Sequence, residues 1–271
     1  MSAGAWSEYD ADYLKKAIED KESEFGRIEL QDVTTQWGVF AIAGPKSRDV
    51  LKEIIVDADK ETALTNKRFP WLSAKQIELG MCPVNAIRVA YTGELGWELH
   101  HPIEMQNYLF DLLEKAGEKH GMKLVGARAQ NWLRMEKSYR AFGAELGRDA
   151  TPAEADLPRF IDLSKDFHGK AEMEALGVRV KCCTLLIDGP EDADPWGREV
   201  LYTPEGERVG RLTSGGYSVA FEKSIGMGYV KPELAVEGTK LKVKIQDKLW
   251  DAVVTCDSPY DPKNATIRQD G

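Results

Sequence analysis

The sequence predicts an α+β lobe followed by a small all-β domain. Three features carry that prediction. Up to about residue 138, strand-like runs alternate with helix-period runs, and hairpin-like joins connect successive strands, which favours an antiparallel sheet backed by helices. From about Val178 the helical period is lost, and short strands follow one another between Gly, Pro and Asp turns. The 271 residues, 42% of them hydrophobic, supply material for one large core or two modest ones.

The first element is a charged helix, about Tyr9 to Glu24, with Leu14, Ala17 and Ile18 on a thin apolar side. TQWGVFAIAGP follows as a strand ending at Gly44-Pro45. Pro45 then fits the first turn of a helix through Leu51 and Ile54. VNAIRVAYTG is a second strand and WELHHP a third, with TGELG turning between them. A helix from about Glu104 to Lys119 repeats Met105, Tyr108, Leu109, Leu112 and Ala116 at three- and four-residue steps, and Gly121 suits its C-terminal cap. Another, about Gly126 to Ser138, carries Trp132, Leu133 and Met135. Together these make an α+β, ferredoxin-like lobe. KCCTLLID, REVLYTPEGERVGRLTS, SIGMGYV, KLKVKIQ and LWDAVVT are the strands of a small β-barrel or sandwich. The boundary is expected near Glu172 to Gly177, giving lobes of residues 1–175 and 176–271.

Composition narrows the function classes. A net charge of −9 argues against nucleic acid, whose phosphates select basic faces. No apolar run approaches the roughly 20 residues that cross a bilayer, and MSAGAWSEYDADYLKK lacks the order of a secretory signal, so a cytoplasmic location is expected. Cys82, Cys182, Cys183 and Cys256 show no CxxC spacing, and with only His100, His101, His120 and His168 beside them neither a disulfide framework nor a structural zinc site is expected.

The densest chemistry lies in YTGELGWELHHP, Tyr91 to Pro102. Gly93 and Gly96 suit a turn with positive φ, with Glu94 as a solvated turn residue. Glu98 is different, because a carboxylate inside a strand must face solvent or be paired. Facing a cleft, its two oxygens can accept from two adjacent N–H donors in a fork. An arginine presents such a fork, and so does the amino-pyrimidinone edge of a pterin or guanine. Other suggestive runs read as structural. TPAE, Thr151 to Glu154, is a helix start with Thr151 as N-cap, Pro152 at the first position and Glu154 closing a capping box. TSGGYS, Thr213 to Ser218, lacks the lysine and following helix of a phosphate loop and is expected as a barrel turn. His100 and His101 are expected as a solvated pair between strand and helix.

YTGELGWELHHP, followed by LVGARAQNWLRMEKSYRAFGAELGRDATPAEADL, closely resembles the glycine-cleavage T-protein (aminomethyltransferase) family. In detail it is most similar to the folate-binding C-terminal region of dimethylglycine and sarcosine dehydrogenases. TSGGYSVAFEKSIGMGYVKPEL and DSPYDPKN fit the same family, so the resemblance runs through essentially the whole chain. It implies a small C-terminal β-barrel and a tetrahydrofolate site. Glu98 matches the family carboxylate that grips the pterin edge, Tyr91 an aromatic of the pterin pocket, Arg128 a basic residue of the folate site, and Tyr260 a C-terminal aromatic near the cofactor. Each has a structural alternative: Tyr91 a core tyrosine with a satisfied hydroxyl, Arg128 a surface charge or the partner of Glu98, Tyr260 packing at the domain junction. The implied chemistry is one-carbon transfer from a methylated amine or aminomethyl donor to folate, or folate-binding and assembly without transfer.

Members of the family carry a further segment ahead of WGVFAIAGP with an aspartate thought to assist transfer. Asp10 and Asp12 do not match it, so the family's N-terminal part is expected to be missing, which fits a split subunit whose complementary N-terminal partner supplies it, a shortened gene product or a folate-binding remnant. With that group absent, little transfer is expected from the chain alone. No GxGxxG follows a strand, so no flavin site is expected here and oxidation would belong to a flavoprotein dehydrogenase partner.

Overall fold

The computed structural model describes residues 6–190 and 193–270. A leading helix, α1 (Ser7–Phe25), is exposed along most of its length, as its thin apolar side implies. It is tied down at its start, where Trp6 meets Phe142 edge-on at 5.8 Å and Arg148 lies 4.6 Å over Tyr9.

The first lobe is built on β1 (Trp37–Ala43), β2 (Ala74–Leu79), β3 (Cys82–Ile87) and β4 (Gly96–Pro102), antiparallel throughout in the order β1-β4-β3-β2. Side chains alternate across the pleat. Ile42, Val84, Ala86, Trp97 and Leu99 therefore turn to one face, where α2 (Ser47–Ile54) and α4 (Gln106–Glu118) cover them with Val50, Leu51, Leu109 and Leu113. This is the α+β layer expected from the sequence. Two details differ. The second strand stops at Ile87, because Arg88 is pulled into the interior, and β2 went unrecognised because Lys75, Gln76 and Glu78 dilute its apolar pattern at the sheet edge.

After the short α3 (Lys60–Ala63) and α5 (Ala127–Glu136), an irregular stretch and α6 (Lys170–Leu176) lead into the second lobe. There β5 (Lys181–Ile187), β6 (Val200–Tyr202), β7 (Arg208–Ser218), β8 (Lys223–Val230), β9 (Lys240–Ile245) and β10 (Lys248–Thr255) close a barrel in the order β10-β5-β8-β7-β6-β9. Closure leaves no free edge. Leu185, Ile187, Leu201, Leu212, Val243 and Val254 fill it. TSGGYS is not a turn: it is the end of β7, paired with β8. Its glycines serve close packing, since a Cβ on Gly215 would overlap Pro195 and one on Gly216 would overlap the indole of Trp132 from α5.

TPAE is also corrected. The capping-box bonds form, Thr151 N to Glu154 Oε2 at 2.8 Å and Glu154 N to Thr151 Oγ1 at 3.2 Å, yet they close a turn rather than a helix. Asp156 at φ 60 ends the segment, and Arg179 takes both oxygens of Glu154.

Polar side chains join the lobes. Arg134 and Glu145 pair at 2.7 Å with side chains 1% and 0% exposed, and Arg134 also donates to Ser214 at 2.6 Å. Glu136 accepts from Ser218 at 2.6 Å and from Ala220 N at 3.1 Å. Beyond the barrel the chain returns to the first lobe. There Arg48 donates to Leu64 O and Gln269 O, each at 2.9 Å, and Arg88 donates to Phe69 O at 2.6 Å and, more weakly, to Ile267 O and Gln269 O. Both guanidinium groups lie over Trp97, at 5.8 and 5.6 Å from its ring centre. Burial, with Arg48 alongside, pushes the Arg88 guanidinium down to about 10, so it stays charged at neutral pH. No helix among the described residues is long and apolar enough to cross a membrane.

Candidate functional site

The face of the sheet opposite the core is where β4 places its polar residues. Glu98 and His100 alternate outward while Trp97, Leu99 and His101 turn inward. The register lays out two rows across this face. One runs Ala41, Glu98, Ile87, Ala74, and the next runs Val39, His100, Asn85, Gln76. Trp37 and Val39 are exposed on it. Toward the end of the strands, Trp37, Gln76, Glu78, Pro83, Asn85 and Pro102 line a cavity of about 380 Å³.

Glu98 is the carboxylate that β4 places on this face, with Glu78 of β2 at the cavity end. His100 Nε2 lies 3.2 Å from its Oε2, and the two side chains are 14% (His100) and 33% (Glu98) exposed. Among the described residues no other side chain or amide bonds the Glu98 carboxylate, so Oε1 is left over. His100 and His101 are therefore not a solvated pair. His100 is the partner of Glu98, whereas His101 is wholly buried, its Nδ1 2.9 Å from Leu99 O and its ring stacked on Phe40 at 4.8 Å.

The TGELG turn is a clasp between lobes. Gly93, at φ 80, lies so close to the methylene stem of Lys137 that a Cβ there would overlap it. The Lys137 ammonium in turn donates to Tyr260 O at 3.0 Å, Asp261 O at 2.7 Å and Asn264 Oδ1 at 2.9 Å. Glu94 is not merely solvated: its Oε1 accepts from the Tyr260 hydroxyl at 2.9 Å, and this carboxylate, with burial, raises the hydroxyl's pKa. Leu95 O accepts from Gly44 N at 2.8 Å and Ser47 Oγ at 3.0 Å, fixing the turn to the start of α2.

Tyr91 opens that turn. Its hydroxyl donates to Arg140 O at 3.0 Å, its ring stacks on Tyr139 at 5.9 Å, and burial raises its pKa. Arg128, exposed on α5, lies between the indoles of Trp132 and Trp196, at 5.3 and 5.0 Å, and is not the partner of Glu98. Tyr91 and Tyr260 thus meet the same clasp, Glu98 stands just beyond it on the open sheet face, and Arg128 is held apart by tryptophans. Among the described residues no hydrogen bond, ion pair or ring contact joins any two of the four directly. No group of three or more His, Cys, Asp or Glu among the described residues is arranged to hold a metal ion.

Sequence reasoning missed His100, Lys137, Asn85 and Gln76. Only His100 had a local signal: two residues beyond Glu98 in a strand, it must share its face.

The family model for the GCVT N-terminal domain matches residues 1–165, and that for the glycine cleavage T-protein C-terminal barrel domain matches residues 181–261. Mitochondrial dimethylglycine dehydrogenase from Homo sapiens is 38% identical over 234 residues, covering 84% of this chain and 26% of that protein. An aminomethyltransferase from Natranaerobius thermophilus is 31% identical over 232 residues, covering 84% of this chain and 61% of its own length. The crystal structure of glycine cleavage system aminomethyltransferase T from Bartonella henselae superposes with a TM-score of 0.69 at 24% identity, covering 83% of this chain and 60% of that one, a likeness of fold. The chain therefore spans about a quarter of the dehydrogenase and about three fifths of the aminomethyltransferases. With the N-terminal model matching more than half of its length and the barrel model following in order, the chain belongs to the glycine-cleavage T-protein (aminomethyltransferase) family.

Proposed function

We propose that the chain binds tetrahydrofolate against the sheet face that carries Glu98, and serves one-carbon transfer to folate from a methylated amine or aminomethyl donor. The observation that carries this is the unused acceptor capacity of Glu98. Among the described residues its Oε1 has no partner, and Oε2, although bonded to His100, has a second lone pair, so the carboxylate fits two adjacent N–H donors of an amino-pyrimidinone edge. Tyr91 is assigned as an aromatic of the pterin pocket. Tyr260 contributes its ring rather than its hydroxyl, which Glu94 already holds. Arg128 is assigned to the anionic end of folate. The two lobes, residues 1–175 and 176–271, share the site.

Tetrahydrofolate, when bound, supplies the nitrogen that accepts the carbon unit. The protein's part is to orient the acceptor and keep water from an electrophilic carbon. The amine is oxidised by a flavoprotein dehydrogenase partner, and the location is cytoplasmic. The match to a 26% portion of a dimethylglycine dehydrogenase favours a second possibility, a catalytically silent folate-binding or assembly subunit of such an enzyme. Methylenetetrahydrofolate formation with an aminomethyl donor separates the two.

Glu98→Gln tests the site. It keeps the shape but turns one acceptor into a donor facing the ligand's N–H edge. A charge-assisted hydrogen bond is worth roughly 1.5–3 kcal/mol, so affinity for reduced folate falls about tenfold or more by calorimetry. Equal affinity in parent and variant removes Glu98 from the site.

A further inference from the structure

We propose that His100 is the positioning residue of Glu98, fixing the carboxylate so that Oε1 is left for a ligand. This rests on the folate assignment of that face. Four residues surround Glu98 on its side of the sheet: Ala41 and Ile87 across the neighbouring strands, and Gly96 and His100 along its own. The first two carry no hydrogen-bond donor, and Gly96 has no side chain. His100 alone supplies an N–H, 3.2 Å from Oε2.

The imidazole is itself held. It is 14% exposed against 33% for the carboxylate, and it lies in the row between Val39 and Asn85. In a neutral ring one nitrogen is a donor and the other an acceptor, so donation from Nε2 fixes the proton there and leaves Nδ1 bare. A glutamate on an open face without such a partner samples several rotamers, and ordering it on binding weakens affinity. His100 orders it in advance. The neighbouring His101 does not contribute, because the pleat turns it to the core.

Two measurements test this. Anaerobic calorimetry with tetrahydrofolate compares the parent, His100→Ala and His100→Gln. The alanine variant binds about three- to tenfold more weakly, matching the rotamer freedom released. The glutamine variant, which keeps an N–H donor, regains most of that loss, while both melt with the parent. Unchanged affinity in His100→Ala, or an equal loss in both variants, overturns the proposal. Independently, ¹⁵N imidazole spectra at alkaline pH read the tautomer without any ligand. The parent shows the proton on Nε2, and Glu98→Gln shows a changed or mixed tautomer. Identical spectra overturn the pairing. A parent that binds no tetrahydrofolate defeats the folate assignment, and the spectra still decide whether His100 orders Glu98.

Discussion

Two carboxylates in this protein have opposite surroundings. At the lobe junction Glu145 is fully enclosed and accepts from Arg134, Ala141 N, Thr213 and Ser214 at 2.6 to 2.9 Å. On the outer sheet face the Glu98 carboxylate, among the described residues, accepts from His100 alone. Burial by itself would push the Glu145 carboxyl up, but Arg134 and the Ser214 and Thr213 hydroxyls outweigh it and hold it below the usual carboxylate range. The difference teaches how to separate structure from function among acidic residues. Glu145 has no acceptor capacity to spare and joins two lobes. Glu98 keeps capacity in reserve where a ligand can reach it.

The contrast is most exposed to test at the junction. Arg134→Met leaves Glu145 as an uncompensated buried charge, a loss of about 3–5 kcal/mol in urea unfolding. A loss below about 1 kcal/mol would erase the distinction between the two sites.

Glu154, the other saturated carboxylate, sharpens it through pH. The hydrogen bond from Arg179, against the opposing effect of burial, brings its carboxyl to about 2 from an ordinary 4.5. A depressed folded-state value means that the stabilisation is complete above about pH 4.5 and is lost as the pH falls toward 2. Melting temperatures of the parent and Glu154→Gln therefore differ most at neutral pH and converge on acidification through that window. A gap independent of pH would show that the charge of Glu154 is not what stabilises.

Smaller effects follow. Tyr260→Phe removes one partly exposed hydrogen bond to Glu94 and lowers stability by about 0.5–1.5 kcal/mol in urea unfolding. Glu98→Gln, despite its expected effect on folate binding, stays within about 0.5 kcal/mol of the parent in the same measurement. A larger loss would place Glu98 with Glu145 among structural residues.

The sequence made α4 and β4 legible because each holds one period long enough to read: three- and four-residue apolar steps in the helix, strict alternation in the strand. Glu98 on an outward face followed from that alternation. Its partner did not, because the adjacent histidines near the strand end read as a solvated pair, although the pairing with β1 continues through Pro102. TPAE misled for a different reason. Its local bonds are those of a helix start, but Arg179, 25 residues on, captures Glu154, and the helix never propagates. The clasp was beyond reach from sequence, since Glu94 and Tyr260 are 166 residues apart and neither carries a local signal for the other.

The two arginines over Trp97 set an order of events during synthesis. Among the described residues Arg48 Nη1 and Arg88 Nε have no hydrogen-bond partner even in the finished fold, and Arg48 Nη2 relies on a carbonyl 221 residues later. At about 5–20 residues per second, a ribosome takes roughly 10–45 s to make that stretch. Throughout that interval the nascent first lobe holds two guanidinium groups beside its core with part of their cover still unmade. Its last step of folding therefore waits for the residues that follow the barrel, and a chain stalled inside the barrel presents that lobe to chaperones unfinished.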